Sequence, residues 1–252
     1  MQLAKLKKLT MKNLFQTIFY QPIYNLLVFF YNVVPGHDLG VAIILVTAAI
    51  KLVLYPFSKQ ALHAQKAMQE IQPKMEALKV QYKGDQTGLS KAMMELYKNE
   101  NVNPFSSCLP VLIQFPFLIA VYQVLHKGIA TADASLLYSF VQAPAAVSHI
   151  AFGFLDLTQK SVPLAVLAAL SQYWQTKMLM HKKPPLSNSA PEAKDESMTA
   201  VMNKQMMYLM PIMTLVIGVS LPSGLILYWL VITLLSIAQQ WWMFRGVAKH
   251  VA

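Results

Sequence analysis

Residues 39–57 read LGVAIILVTAAIKLVLYPF. The run is apolar except for one ionisable side chain, Lys51, and it ends on a Tyr-Pro-Phe triplet. A helix needs about 20 such residues to cross a bilayer. Charge at the depth of Lys51 costs several kcal/mol unless it is hydrated or paired. Two readings follow. Lys51 snorkels to the nearer interface, or it stands in a wet cavity within a helical bundle. Thr47 and Tyr55 lie one turn to either side and extend it into a polar stripe.

Composition agrees with a membrane chain. Of 252 residues, 56% are hydrophobic and 13% charged, against about 25% charged in soluble domains. With 9 Gly and 14 Pro the chain is neither fibrous nor disordered. A single cysteine, Cys108, excludes an internal disulfide and any zinc site built on cysteine pairs. The net charge of +10 lies between apolar runs, as in basic membrane proteins whose Lys and Arg face anionic lipid. No nucleic-acid specificity is expected.

Four further runs match the first: 104–125, 162–180, 203–220 and 223–242. The fourth span is short, since Met206–Ser220 rises only about 22 Å at 1.5 Å per residue. Loop charge orients the set. Ser58–Asn103 carries seven Lys, Lys177–Lys204 carries five, and Arg245 and Lys249 follow the last run. Segment 126–161 balances Lys127 and Lys160 against Asp133 and Asp156. The positive-inside rule puts 58–103, 181–202 and the tail 243–252 in the cytoplasm and 126–161 outside. Segment 181–202, rich in Pro and Ser, reads as a flexible loop.

Residues 1–38 are basic first (Lys5, Lys7, Lys8, Lys12) and amphipathic after. On a helical wheel, Phe15, Ile18, Phe19, Ile23, Leu26, Phe29, Phe30 and Val33 share one side, while Gln16, Tyr20, Tyr24, Asn25, Tyr31 and Asn32 share the other. A sixth span is one reading. An outer interfacial helix fits the segregation better, and places the N-terminus outside.

Within 58–103, Ala64, Met68, Ile71, Met75, Leu78 and Tyr82 repeat at heptad spacing. Gly84-Asp85 and Gly88 mark a turn, after which Leu89, Met93 and Leu96 form a facing stripe. The spacing predicts a cytoplasmic helical hairpin, Ser58–Lys83 against Thr87–Asn101, kinked at Pro73. Met68, Ile71, Met75, Leu78, Met93 and Leu96 are its contact residues.

Motifs for catalysis are missing: no glycine-rich phosphate loop, HExxH or GxSxG. Neither an enzyme, a cofactor nor a metal is expected. No acidic residue falls inside a span, which argues against a proton relay. The spans instead carry scattered polar residues: Gln114 between Pro110 and Pro116, Gln172 near Gln175 and Thr176, and Trp229, Thr233, Ser236 and Gln240 at 4-3-4 spacing. Singly, each serves as a helix–helix hydrogen bond. Together with Lys51 they supply enough polar surface for a groove that suits a passing polypeptide.

The ordered set GVAIILVTAAIKLVLYPF, MQEIQPKMEALKVQYK, MMELYKNENVNPFSSCLPVLIQFPFLIAVYQVL, LPSGLILYW and SIAQQ resembles the YidC/Oxa/Alb family of membrane protein insertases, from about Tyr20 to Phe244. The likeness is to a bacterial form without a large periplasmic domain. It implies an all-α integral membrane protein with five transmembrane helices, an outer amphipathic helix and a cytoplasmic hairpin, in the bacterial inner membrane. It also implies a mechanism. A nascent membrane protein lodges its polar flank in a hydrophilic groove open to cytoplasm and lipid. Its apolar segment then leaves along the third and last spans. The insertase acts without nucleotide, alone or with the Sec translocon, and any ribosome contact falls to the cytoplasmic loops.

Carried over by position, Lys51 is the groove cation, where most relatives have arginine. Gln172 and Trp229 line the groove, and Thr233 stands where many have asparagine. Thr47, Tyr55, Gln114 and Ser236 join the groove by their stripes. The alternatives are an anion channel or small-solute transporter drawing on Lys51, and a scaffold that only assembles other complexes.

Overall fold

The computed structural model describes residues 13–103, 109–127, 134–144, 146–180 and 198–248. The basic cluster at 1–12, the loop 181–197, Cys108 and Lys249 lie outside the described residues. The protein is mostly helical. A π-helical turn, Gln16–Tyr20, leads into α1, Gln21–Val33. Then come α2 (Leu39–Val53), α3 (Tyr55–Glu70), α4 (Gln72–Gln81), α5 (Gln86–Asn99), α6 (Leu109–Lys127), α7 (Val162–Met180), α8 (Met198–Gly218) and α9 (Ser223–Ala248). A two-residue antiparallel pair, β1 (Ile150–Ala151) and β2 (Leu155–Asp156), lies between α6 and α7.

Local chemistry sets the helix ends. Asp38 caps α2, its carboxylate accepting from Val41 N at 3.0 Å. α2 stops at Val53, short of the expected Phe57, and α3 leaves it at 66°. Pro56 is the cause, because it lacks an N–H and its ring crowds the carbonyl four residues back. Pro73 acts alike. The expected single helix Ser58–Lys83 instead starts at Tyr55 and breaks at Ile71, two residues before the proline. Asp85 caps α5 through Gly88 N at 2.8 Å.

α4 and α5 pack on one another. Ile71 and Met75 are buried there, while Met68, Leu78, Met93 and Leu96 are half-buried. Tyr97 reaches the Met75 sulfur, and Lys74 pairs with Glu100 at 2.5 Å. That pair is exposed enough to contribute little.

The core lies between α1, α2, α6 and α9, with Ala42, Ile43, Val28, Val124, Ile226 and Tyr228 almost wholly buried. α7 meets α8 and α9 through small residues. Ala165 and Ala168 are fully buried, and a Cβ on Gly218 would stand 3.1 Å from that of Ala165. The outer faces of α7 and α8 stay apolar and exposed, as at Leu167, Leu170, Trp174, Ile212 and Val216. Such a belt matches lipid rather than water. By length and composition, one described helix can cross a bilayer alone, Ser223–Met243. α2 and α3 pass jointly across their bend, and Leu112–His126 and Met207–Gly218 are shorter apolar helices.

The amphipathic N-terminal helix turns much of its polar side inward. Tyr20, Tyr24, Asn25 and Tyr31 are buried, whereas Ile18, Phe29 and Val33 of the apolar side are exposed. The polar side binds the backbone of segment 134–148. Asn25 Nδ2 donates to Leu136 O at 2.8 Å, and its Oδ1 accepts from Tyr138 N at 2.6 Å. Tyr31 Oη donates to Ala146 O and accepts from Ser148 N. Asn25→Leu strands the Tyr138 N–H, at about 1–3 kcal/mol, while Leu136 O keeps the Gln21 Nε2 donor at 3.1 Å. Thermal unfolding in detergent should fall by several degrees, with faster amide exchange at 134–138. Asn32→Leu, which loses one exposed bond to Gln142 O, should change little.

Candidate functional site

α2 and α9 lie side by side and point the same way. Their N-termini are tied to one segment. Asp38, the α2 cap, also accepts from Phe152 N at 2.5 Å. Ser223, at the start of α9, donates from Oγ to Asp156 O at 2.5 Å, and its N donates to Gln159 O at 2.8 Å. Gly224 N donates to Leu157 O at 3.0 Å. The Thr158 hydroxyl and backbone N–H bond the Asp156 carboxylate and hold it below the usual range. Gly40 lets the β pair approach, since a Cβ there would lie 2.5 Å from that of Ala151. Inside this end, the void lined by Ile23, Ile43, Val124 and Tyr228 is only about 10 Å³.

The far end of the same helix pair opens. Lys51 in the last turn of α2 donates from Nζ to Ser236 Oγ of α9 at 2.9 Å. Ser236 Oγ donates onward to Ile232 O at 2.7 Å. The hydroxyl proton is thus committed to the helix, and its lone pair receives the ammonium. No carboxylate among the described residues pairs with Lys51. Beside it a cleft of about 260 Å³ is lined by Lys51, Tyr55, Ala48 and Leu52 from one side and Leu235, Gln239 and Trp242 from the other. That is far above the roughly 10–15 Å³ that holds one water. The cation is half-buried and faces space that admits solvent.

The other expected groove residues are dispersed. Thr47 is fully buried, and its hydroxyl donates to Ile43 O at 2.6 Å within its own helix. Thr233 is 3% exposed and donates to Trp229 O in the same manner. Gln114 Nε2 donates to the buried Tyr228 hydroxyl and joins α6 to α9. Trp229 and Gln172 are half-buried and do not line the cleft. Of the eight, Lys51, Ser236 and Tyr55 are the ones brought to the opening. Gln239 and Trp242 join them without having been singled out as site residues. The 4-3-4 stripe of α9 ends on Gln240, which does not line the cleft. Leu235, Gln239 and Trp242 follow a neighbouring 4-3 spacing that mixes apolar and polar residues and so gives no polar-stripe signal.

A described partner of the Tyr228 hydroxyl is lost in Gln114→Leu. Stability should fall by about 1–3 kcal/mol, read as denaturant unfolding in micelles. Lys51→Met, which removes a half-buried charge, should leave unfolding within about 1 kcal/mol of wild type.

A family model described as "60Kd inner membrane protein" matches residues 29–250. Curated relatives named "Membrane protein insertase YidC" are similar over most of the chain. That of Lawsonia intracellularis is 34% identical over 229 residues, 91% of this chain and 39% of its own length. That of Nitratidesulfovibrio vulgaris is 34% identical over 91% of this chain and 38% of its own length. That of Polynucleobacter asymbioticus is 36% identical over 241 residues, 94% of this chain and 37% of its own. The chain spans about two fifths of the length of these relatives.

Proposed function

This chain belongs to the 60Kd inner membrane protein family, and from that premise we propose that it inserts nascent membrane proteins into the bacterial inner membrane. The observation that carries the proposal is the contrast between the two ends of the α2–α9 pair. One end is tied down and holds a void of about 10 Å³. The other holds a cation in an open cleft. A site of that shape receives a polar flank and gives it no path onward except sideways into lipid.

Five spans fit the reading: α2, α6, α7, α8 and α9, with the cleft facing the cytoplasm and segment 126–161 outside. The N-terminal helix lies at the outer interface, with the N-terminus on that side. The apolar part of α8, Met207–Gly218, rises about 18 Å, against about 30 Å of hydrocarbon. The mismatch favours local thinning of the bilayer and shortens the crossing of a polar flank. The substrate slides out past the exposed apolar face of α7 and α8. Lys51 attracts acidic or carbonyl-rich flanks and Tyr55 borders their entry. The helices α3–α5 are a docking arm for substrate, the Sec translocon or a ribosome. The relatives are named for insertion and not for an enzymatic reaction, and no cofactor enters this reading. The anion-channel alternative has no support in these relatives.

The test is insertion by the purified protein in liposomes, with a single-span substrate whose translocated flank is acidic. Wild type and Lys51→Arg should protect the flank from protease. Lys51→Ala should insert at roughly one tenth of the rate, the scale of one desolvated charge contact. Equal rates for all three would remove Lys51 from the mechanism. Failure of wild type on every substrate would overturn unaided insertion.

A further inference from the structure

The cleft beside Lys51 is graded along its helices. Ala48 and Leu235 lie deepest, Lys51, Leu52 and Gln239 follow about one turn on, and Tyr55 and Trp242 stand at the mouth. Lys51 is three residues, about 4.5 Å, from the break at Leu54, where α3 turns away by 66°. The polar atoms open to the cleft offer hydrogens. The ammonium has three N–H groups and spends one on Ser236. The Tyr55 hydroxyl bonds none of the described residues and is not enclosed. No acidic side chain lines the cleft. Both amide ends of Gln239 are shut from solvent and take no part. The remaining wall is apolar, and Leu52 and Trp242 leave 74% and 66% of their surface uncovered.

A ligand for this cleft needs acceptor atoms where it meets Lys51 and Tyr55, net negative charge, and an apolar part that runs inward past Leu52 to Ala48 and Leu235. A free anion meets the first two needs and leaves the apolar wall wet. A hydrocarbon chain meets only the third. A zwitterionic lipid sets its own cation against Lys51. A phospholipid of net negative charge meets all three, and basic pockets between membrane helices hold such headgroups. We propose that the cleft is a binding site for an anionic phospholipid, its phosphate accepting from Lys51 Nζ and Tyr55 Oη and one acyl chain lying along Ala48, Leu52 and Leu235. About 260 Å³ is too little for a whole lipid, so the chains continue into the bilayer over the uncovered faces of Leu52 and Trp242. The inference rests on the insertase reading for its spans α2 and α9 and adds a resident ligand to it. An acidic substrate flank then enters the cleft in exchange for lipid.

The test is retention of lipid by the purified full chain in detergent, read by native mass spectrometry. Phosphatidylglycerol and phosphatidylcholine with identical chains are titrated separately, and the phosphatidylglycerol series is repeated with inorganic phosphate in excess. Wild type should retain one phosphatidylglycerol about tenfold more tightly than phosphatidylcholine, the scale of one charge-assisted contact. Lys51→Met should abolish that preference. Tyr55→Phe, which keeps the ring and serves should the Lys51 variant fold poorly, should reduce it about fivefold, the scale of one net hydrogen bond. Lys59→Met, an exposed cation on α3 outside the cleft, should match wild type. Equal retention of the two lipids by wild type would overturn the proposal. So would a preference that survives both Lys51→Met and Tyr55→Phe, because the lipid would then sit on another basic surface. Displacement by inorganic phosphate would assign the cleft to a free anion and overturn it as well. The readout needs no substrate, so a wild type that retains the lipid and inserts nothing would bring down the insertase reading alone.

Discussion

Buried backbone groups must find partners inside the protein, and the segment 134–159 depends on that constraint. It has almost no regular structure of its own. Its carbonyls and amides are taken up by Asn25 and Tyr31 from α1, Asp38 from α2 and Ser223 from α9. Four side chains of ordinary size thereby lock three helices to one strap. The consequence is asymmetry. The helix pair is tied to the strap where it starts, and its opposite end is joined by the Lys51–Ser236 bond beside the cleft. Replacing any of these ties by an apolar group would loosen the strap and the helix it holds together.

At the other end the governing term is the cost of placing charge in a poor dielectric. An ammonium with one hydroxyl partner and no carboxylate is stable only where solvent reaches it. The cleft and Lys51 thus require each other. A closed bundle would expel the charge, and a cleft lined only by Leu52, Leu235 and Trp242 would stay dry. Ser236 sets the position of the ammonium without neutralising it, which leaves its charge available to a ligand.

The sequence makes the helices and the class of protein legible, because long apolar runs and proline breaks are local signals. Loop charge likewise points to an orientation. Much of the site is not local. Thr47 and Thr233 look like groove residues on a polar stripe, yet each spends its hydroxyl on the carbonyl one turn back. Gln114 looks alike and instead bridges two helices. A stripe gives the side of a helix and says nothing of what faces it. The inward turn of the polar side of α1 was hidden for the same reason. Its partner is the backbone of a segment more than 100 residues away, and backbone leaves no trace in side-chain periodicity.

The break at Leu54 has an electrostatic result as well as a geometric one. A helix that ran unbroken from Leu39 to Glu70 would carry its negative pole far from Lys51. Pro56 ends α2 early, and Lys51 falls in its last turn. The partial negative charge at that terminus, near half an elementary charge, falls in the turn that carries Lys51. It acts as a fixed counter-ion worth about 0.3–1 kcal/mol. A carboxylate there would hold the cation in a closed pair and compete with any arriving ligand. A helix end steadies the charge and cannot bind it away, so the cation remains on offer.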